Sequence, residues 1–172
     1  MSILKVDTIN EKTTSSGVTI SDLVPNTNQI VQVLTTQPTS MTNFTSASYT
    51  DAAGFSLAIT PKYSNSKILI QCWSTASHNN SGSGNSAQDH RLLRDTTEIY
   101  SARWTNYHNT TWATSDFYPP FVLNYVDVPS TTSAVTYKIQ GRIYNASQLS
   151  WAINEGNGGS VKAHFSLSEI KQ

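Results

Sequence analysis

The sequence predicts an all-β protein, an antiparallel β-sandwich that is jelly-roll or Greek-key like, with a short N-terminal β-type attachment segment in front of it. Three observations predict this. Aromatic residues reach 10%, with four Trp and eight Tyr, while charged residues are only 13%; a neutral chain rich in Thr, Ser, Asn and rings has the composition of sheet surfaces. Where apolar residues are periodic, their period is two, and long helical periodicity is absent. Eight or nine short strand-like runs are set apart by turn residues, at the roughly 8–12-residue spacing of sandwiches and barrels.

The runs follow one another from Gln29. QIVQVLTT (Gln29–Thr36) is the first. In GFSLAITP (Gly54–Pro61), Phe55, Leu57 and Ile59 alternate with Ser56, Ala58 and Thr60, so one face is buried and the other wet. Pro61 lacks the N–H that would continue the ladder. KILIQCWS (Lys67–Ser74) begins apolar on both faces and reads as a central strand. HNNSGSGNSA (His78–Ala87) reads as a polar loop. QDHRLLRD and TEIYSARW form a hairpin turning at Asp95 and Thr96. PFVLNYVDV (Pro120–Val128), AVTYKIQGRI (Ala134–Ile143), QLSWAI (Gln148–Ile153) and KAHFSLSEI (Lys162–Ile170) complete the set. EGNGGS (Glu155–Ser160) reads as a glycine-rich hairpin loop; it lacks the Lys-Ser/Thr ending and following helix of a phosphate loop.

Residues 1–28 differ in kind and form a segment of their own, with the sandwich as residues 29–172. Leu4, Val6 and Ile9, then Val18 and Ile20, make two strand-like pieces around a polar bend. A two-stranded hairpin of this size is marginal alone in water. The segment is therefore disordered, or stabilised by the main domain, by identical chains or by another protein.

Several function classes are disfavoured. The formal net charge is +0 and the pI about 6.9, so no basic stripe offers itself to nucleic acid. No apolar run approaches the roughly 20 residues of a membrane helix, and no h-region marks a secretory signal, which reads as synthesis in a cytoplasm. Cys72 is single, leaves no disulfide or Cys-based zinc cluster, and reads as a small core residue. No Gly-x-Ser-x-Gly elbow presents a nucleophile. His78, His90, His108 and His164 include no metal-ligand spacing; His90 and His164 could lie on polar faces of strands. Asp89, Asp95, Glu98, Asp116 and Glu155 show no acid–base pattern. The expectation is a non-enzyme without metal or cofactor. The Asn-x-Ser/Thr triplets at Asn43, Asn79, Asn109 and Asn145 are what a chain this rich in Asn, Ser and Thr produces by chance.

The most unusual stretch is YSARWTNYHNTTWATSDFYPPF (Tyr100–Phe121), which reads as an aromatic loop after Trp104. Trp104, Tyr107, His108, Trp112 and Tyr118 are its candidate receptor or glycan contacts. Rings can cover the C–H faces of sugars while nearby Asn and Asp take hydroxyls. The alternative is that the rings pack under the loop or between subunits.

The opening ILKVDTINEKTTSSGVTI resembles the N-termini of virion structural and tail-fibre proteins of tailed bacteriophages, especially those of cyanobacteria and other marine bacteria. FSLAITPKYSNSKILI, DVPSTTSAVTYKIQGR and FSLSEIK resemble a β-sandwich module of the same proteins. The resemblance implies a homotrimeric, non-enzymatic component outside a phage particle. It attaches or intertwines through Leu4, Val6, Ile9, Val18 and Ile20, and its sandwich forms a knob. Its partners would be copies of itself, other virion proteins of tail or capsid, and a host surface polysaccharide. The chain departs from long fibres in passing from attachment-like segment to sandwich without room for a shaft. That leaves a short trimeric tail fibre or receptor-contacting knob, or a capsid decoration (cement) protein. A stand-alone carbohydrate-binding module is the further alternative.

Overall fold

A computed structural model of the protein describes residues 27–80, 84–108, 119–144, 148–154 and 163–172. Among them are ten strands: β1 (Ile30–Thr36), β2 (Thr42–Phe44), β3 (Thr50–Ile59), β4 (Lys67–Asn80), β5 (Gly84–Arg94), β6 (Thr97–His108), β7 (Pro120–Asp127), β8 (Val135–Ile143), β9 (Gln148–Ile153) and β10 (His164–Ile170). The attachment residues Leu4, Val6, Ile9, Val18 and Ile20 lie outside the described residues, as do the glycine-rich loop and most of the aromatic loop.

The strands fold as a doubled-over hairpin. β5 pairs with β6, β4 with β7, β3 with β8 and β1 with β10, each pair antiparallel and nested inside the next. Wrapping that hairpin puts β1, β10, β4 and β7 side by side in one sheet and β3, β8, β5 and β6 in the other. Eight strands so divided are a jelly roll. The short β2 pairs with β9, which pairs with the last residues of β4.

Alternation puts the core between the sheets. In β8, Val135, Tyr137, Ile139, Gly141 and Ile143 are buried, while Thr136, Lys138, Gln140 and Arg142 face outward. Ile68, Ile70 and Cys72 of β4, Phe121 and Leu123 of β7, and Phe165 and Leu167 of β10 meet them from the first sheet. Phe55 of β3 meets Phe165 edge-on, with ring centroids 6.4 Å apart. Gly54 has φ +79°, and a Cβ there would stand 3.0 Å from Pro38 Cβ, so a side chain is excluded on both counts. It lies within the register shift of the β3–β8 ladder.

Three expectations are corrected. The polar run His78–Ala87 is mostly strand: β4 continues to Asn80 and β5 begins at Gly84, because pairing with β9 and β6 satisfies its backbone whatever its side-chain polarity. Strand β6 likewise continues past Trp104 to His108, held by β5. His90 faces the core rather than a polar surface. The alternation of Phe55, Leu57 and Ile59, the hairpin at Asp95, the central position of β4 and the burial of Cys72 agree with the sequence reading.

The sandwich has two distinct poles. At one, Asn28 N–H donates to the Lys171 carbonyl at 2.6 Å, and Lys171 N–H returns a bond to Gln29 at 3.0 Å. Beside them the buried Glu169 carboxylate accepts from the backbone N–H groups of Lys62 and Tyr63, from Ser66 Oγ at 2.6 Å and from Gln32 Nε2. This ties the β3–β4 turn to the last strand. From this pole β4 runs 14 residues, roughly 45 Å at strand rise, to the other, where His108 pairs with Gly84. The described chain thus meets residues 1–26 at one pole and leads into residues 109–118 at the other.

Candidate functional site

The two outer faces of the sandwich carry different side chains. On the first sheet, cross-strand partners line up in rows. Val33, Ser168, Leu69 and Val126 form one row across β1, β10, β4 and β7, and Thr35, Ser166, Gln71 and Asn124 form the next. His164, Trp73 and Val122 form a third. Val33 is 55% exposed, Trp73 49%, Val122 53% and Val126 49%. Ser166 and Ser168 are nearly covered, being small residues between taller neighbours. Among the described residues of these rows His164 is the one ionisable group, and Lys67 stands at the border beside Ile170.

The outer face of the second sheet is charged. Asp89 of β5 is paired across the ladders with Arg103 of β6 on one side and Arg142 of β8 on the other. Its carboxylate accepts from Arg103 Nε at 2.7 Å and Nη2 at 3.2 Å, and from Arg142 Nε at 2.9 Å and Nη2 at 2.7 Å. The Arg103 guanidinium lies 3.4 Å over the Tyr144 ring, and Arg142 and Arg91 lie 4.5 and 4.0 Å from the Tyr49 ring centre. Arg91 also bonds Gln140 and Glu98, while Asp51 takes Lys138 and Gln140. Burial pushes the Asp89 carboxyl up, but the hydrogen bonds from Arg103 and Arg142 outweigh it and hold it below the usual carboxylate range. A basin of about 470 Å³, lined by Tyr49, Asp89, Glu98, Ser101, Ala102, Arg103 and Arg142, opens over this row.

Trp104 belongs to neither outer face. Its position opposite Gln88 turns it toward the interior, where it is half-buried with its ring 6.3 Å from Phe121 and 6.3 Å from His90. His90 also lies 5.0 Å from Phe121 and 6.1 Å from Tyr100. Burial among these rings pushes its imidazole down to about 4, against the opposing pull of Asp89. Tyr107 and His108 stand at the end of β6; their side chains, and Trp112 and Tyr118 entirely, lie outside the described residues.

The charged row escaped the sequence reading because its members are far apart in the chain. Two signals were present: Lys138, Gln140 and Arg142 recur at period two against buried Tyr137 and Ile139, and Asp89 and Arg91 do the same. Neither shows that Arg103 and Arg142 flank one carboxylate. Among the described residues no group of three or more His, Cys, Asp or Glu side chains could hold a metal ion. No protein-family model matches the chain, and no curated protein matches it.

Proposed function

We propose that this chain is a structural protein exposed on a bacteriophage particle, a short trimeric tail fibre or knob that attaches by its N-terminus. The observation that carries the reading is the outer face of the first sheet, where among the described residues of the three rows from Val33, Thr35 and His164 the one ionisable group is His164. Val33, Leu69, Trp73, Val122 and Val126 gain by leaving water, at roughly 25 cal/mol per Å² of apolar surface. Few charges would have to be desolvated against an identical surface. Closed symmetry is the usual outcome for such self-association; the number three comes from the resemblance of the sequence. The two-pole layout adds support, since the described chain begins at residue 27 at one end of the sandwich and β6 ends at His108 near the other. Jelly rolls serve in viral capsids and in lectins, so the fold agrees with the reading without choosing it. The reading assigns the chain no reaction, a site of synthesis in the host cytoplasm and a final place on the virion.

Labelling of intact phage particles with an antibody to the purified chain tests it. The reading expects label on the tail, at a dozen or a few dozen copies per particle. Hundreds of copies on the head would make it a decoration protein instead, and unlabelled particles would contradict both.

A further inference from the structure

We infer that the free edge of β7 is an acceptor for an added strand, and that the strand is the segment Ile3–Ile9 of a neighbouring copy. The inference rests on the self-association proposed above and names the element that passes between copies.

The other edge strands among the described residues are blunted. The β1 ladder is irregular between Ile30 and Gln32, and Lys62 Nζ donates to the Val31 carbonyl at 3.2 Å. The β3 ladder shifts between Asp51 and Ser56, and Thr42 Oγ1 takes the Ala53 N–H at 2.7 Å. The β6 ladder shifts opposite Leu92 and Leu93 of β5, and Glu98 and Arg103 of β6 carry charge. β2 is three residues long. Irregularity, charge and shortness are the devices that keep sheet edges from pairing with other chains.

From Phe121 to Val126, β7 has none of them. It pairs with β4 from Pro120 to Asp127 without a shift, and no described strand lies on its other side. Ala76 N–H donates to the Pro119 carbonyl at 2.9 Å. Hydrogen-bonded and non-bonded pairs alternate along an antiparallel ladder, so Val122, Asn124 and Val126 turn their backbone N–H and C=O groups to the free side. An extended segment satisfies such groups by β-augmentation.

Ile3–Ile9 fits the edge in length and pattern. It has seven residues against the eight of β7. Leu4 and Val6 alternate with Lys5 and Asp7. Beside the edge, the half-buried Tyr125 ring lies 5.8 Å from that of Tyr100, which is 36% exposed. Leu4 and Val6 would cover these rings, while Lys5 and Asp7 turn outward at the border of the sheet. The Asp127 end of β7 and the start of β1 lie at the same pole, through Ile68, Lys67 and Ile170. The 18 residues between Ile9 and Asn28 reach up to roughly 60 Å, enough to pass to a copy standing alongside. A segment of one copy on a different element of the next is a head-to-tail contact, the kind from which a ring closes.

The test co-expresses two full-length single variants, Lys5→Cys with Val122→Cys, Asn124→Cys or Val126→Cys in turn, and oxidises them. Directly opposed cross-strand residues have Cα atoms about 5.5 Å apart, within disulfide range; the native Cys72 is buried. One acceptor position should give a mixed disulfide between chains about tenfold above the others. In the unmodified chain the amides of Val122, Asn124 and Val126 should exchange on the order of a hundredfold slower than free amides. Asn124→Pro removes an N–H that β4 does not use, so the sandwich stays folded by circular dichroism while Val122 and Val126 return to free exchange. Free exchange at all three amides in the unmodified chain, no mixed disulfide at any position, or a disulfide that closes within one chain of the double variant would each overturn the inference. Sedimentation keeps the two claims apart: an oligomer without the mixed disulfide overturns this inference and leaves self-association standing, whereas a monomer overturns both.

Discussion

The outer faces of the two sheets are built by the same alternation and reach opposite chemistries. On the first, two rows across four strands and a third across three hold Val, Leu, Trp, Ser, Thr, Gln and Asn, with His164 at one end of the third. On the second, the charges are bonded in two sets, Arg103–Asp89–Arg142 and Glu98–Arg91–Gln140–Asp51–Lys138, which meet at the Tyr49 ring that Arg91 and Arg142 share. A sheet face that stays in water needs polar groups, and a network of pairs keeps them soluble and ordered. A face that will be covered is better without charges, because each would have to be desolvated. Under the proposed reading, the contrast divides the molecule into a face that copies of the chain would cover and a face left in water.

The largest way to break that division is a charge on the neutral face. Val126→Asp should weaken self-association by about 4 kcal/mol, a factor near a thousand in concentration, while Arg91→Ala on the charged face leaves the sedimenting mass unchanged. Truncation of residues Met1–Pro25 gives a complementary check: β1–β10 should remain folded, by circular dichroism, while the protein no longer joins particles.

Next comes pH, acting on the space between the faces. The His90 pKa is depressed to about 4, so the native state resists a proton that the unfolded chain accepts near its ordinary value of about 6.5. Stability is then full above about pH 6.5 and falls as pH drops toward 4, by about 3 kcal/mol in all. Urea titrations at several pH values check this, and His90→Phe should flatten the dependence. Asp89 acts in the same direction at lower pH, since a depressed carboxyl contributes stability that is lost as it protonates.

A smaller effect distinguishes the network from a decorative surface. Asp89→Asn leaves two guanidiniums around a neutral amide and should lower stability by about 2 kcal/mol. Breaking the exposed Arg91–Glu98 pair by Arg91→Ala should change it by about 0.5 kcal/mol or less. Equal losses from the two substitutions would mean that the row around Asp89 is no more than a set of ordinary surface pairs.

Much of the fold was legible because alternation is local. Phe55, Leu57 and Ile59 mark one buried face without reference to any partner, and Asp95 marks its hairpin by tolerating the positive φ of 53° found there. The strand ends were not legible. Asn79, Asn80, Gly84 and Asn85 are poor strand formers that pair because β9 and β6 lie beside them. Glu169 looks like an exposed carboxylate near a chain end, and only the return of the β3–β4 turn onto β10 buries it. The candidate site was hidden for the same reason. Asp89, Arg103 and Arg142 are brought together by ladder register, which no single stretch of sequence encodes. Trp104 was legible as unusual, but its place against Phe121 depends on the opposite sheet.

The central claim is that the rows of Val33, Leu69, Trp73, Val122 and Val126 on the outer face of the first sheet join copies of this chain. Sedimentation equilibrium of the full-length protein tests it most directly, run beside the Val126→Asp variant. The account predicts a closed oligomer, three times the 18.9 kDa chain mass, that falls to the monomer mass in the variant. A native protein that sediments as a monomer at tens of micromolar, or a variant that assembles as the native chain does, would contradict it.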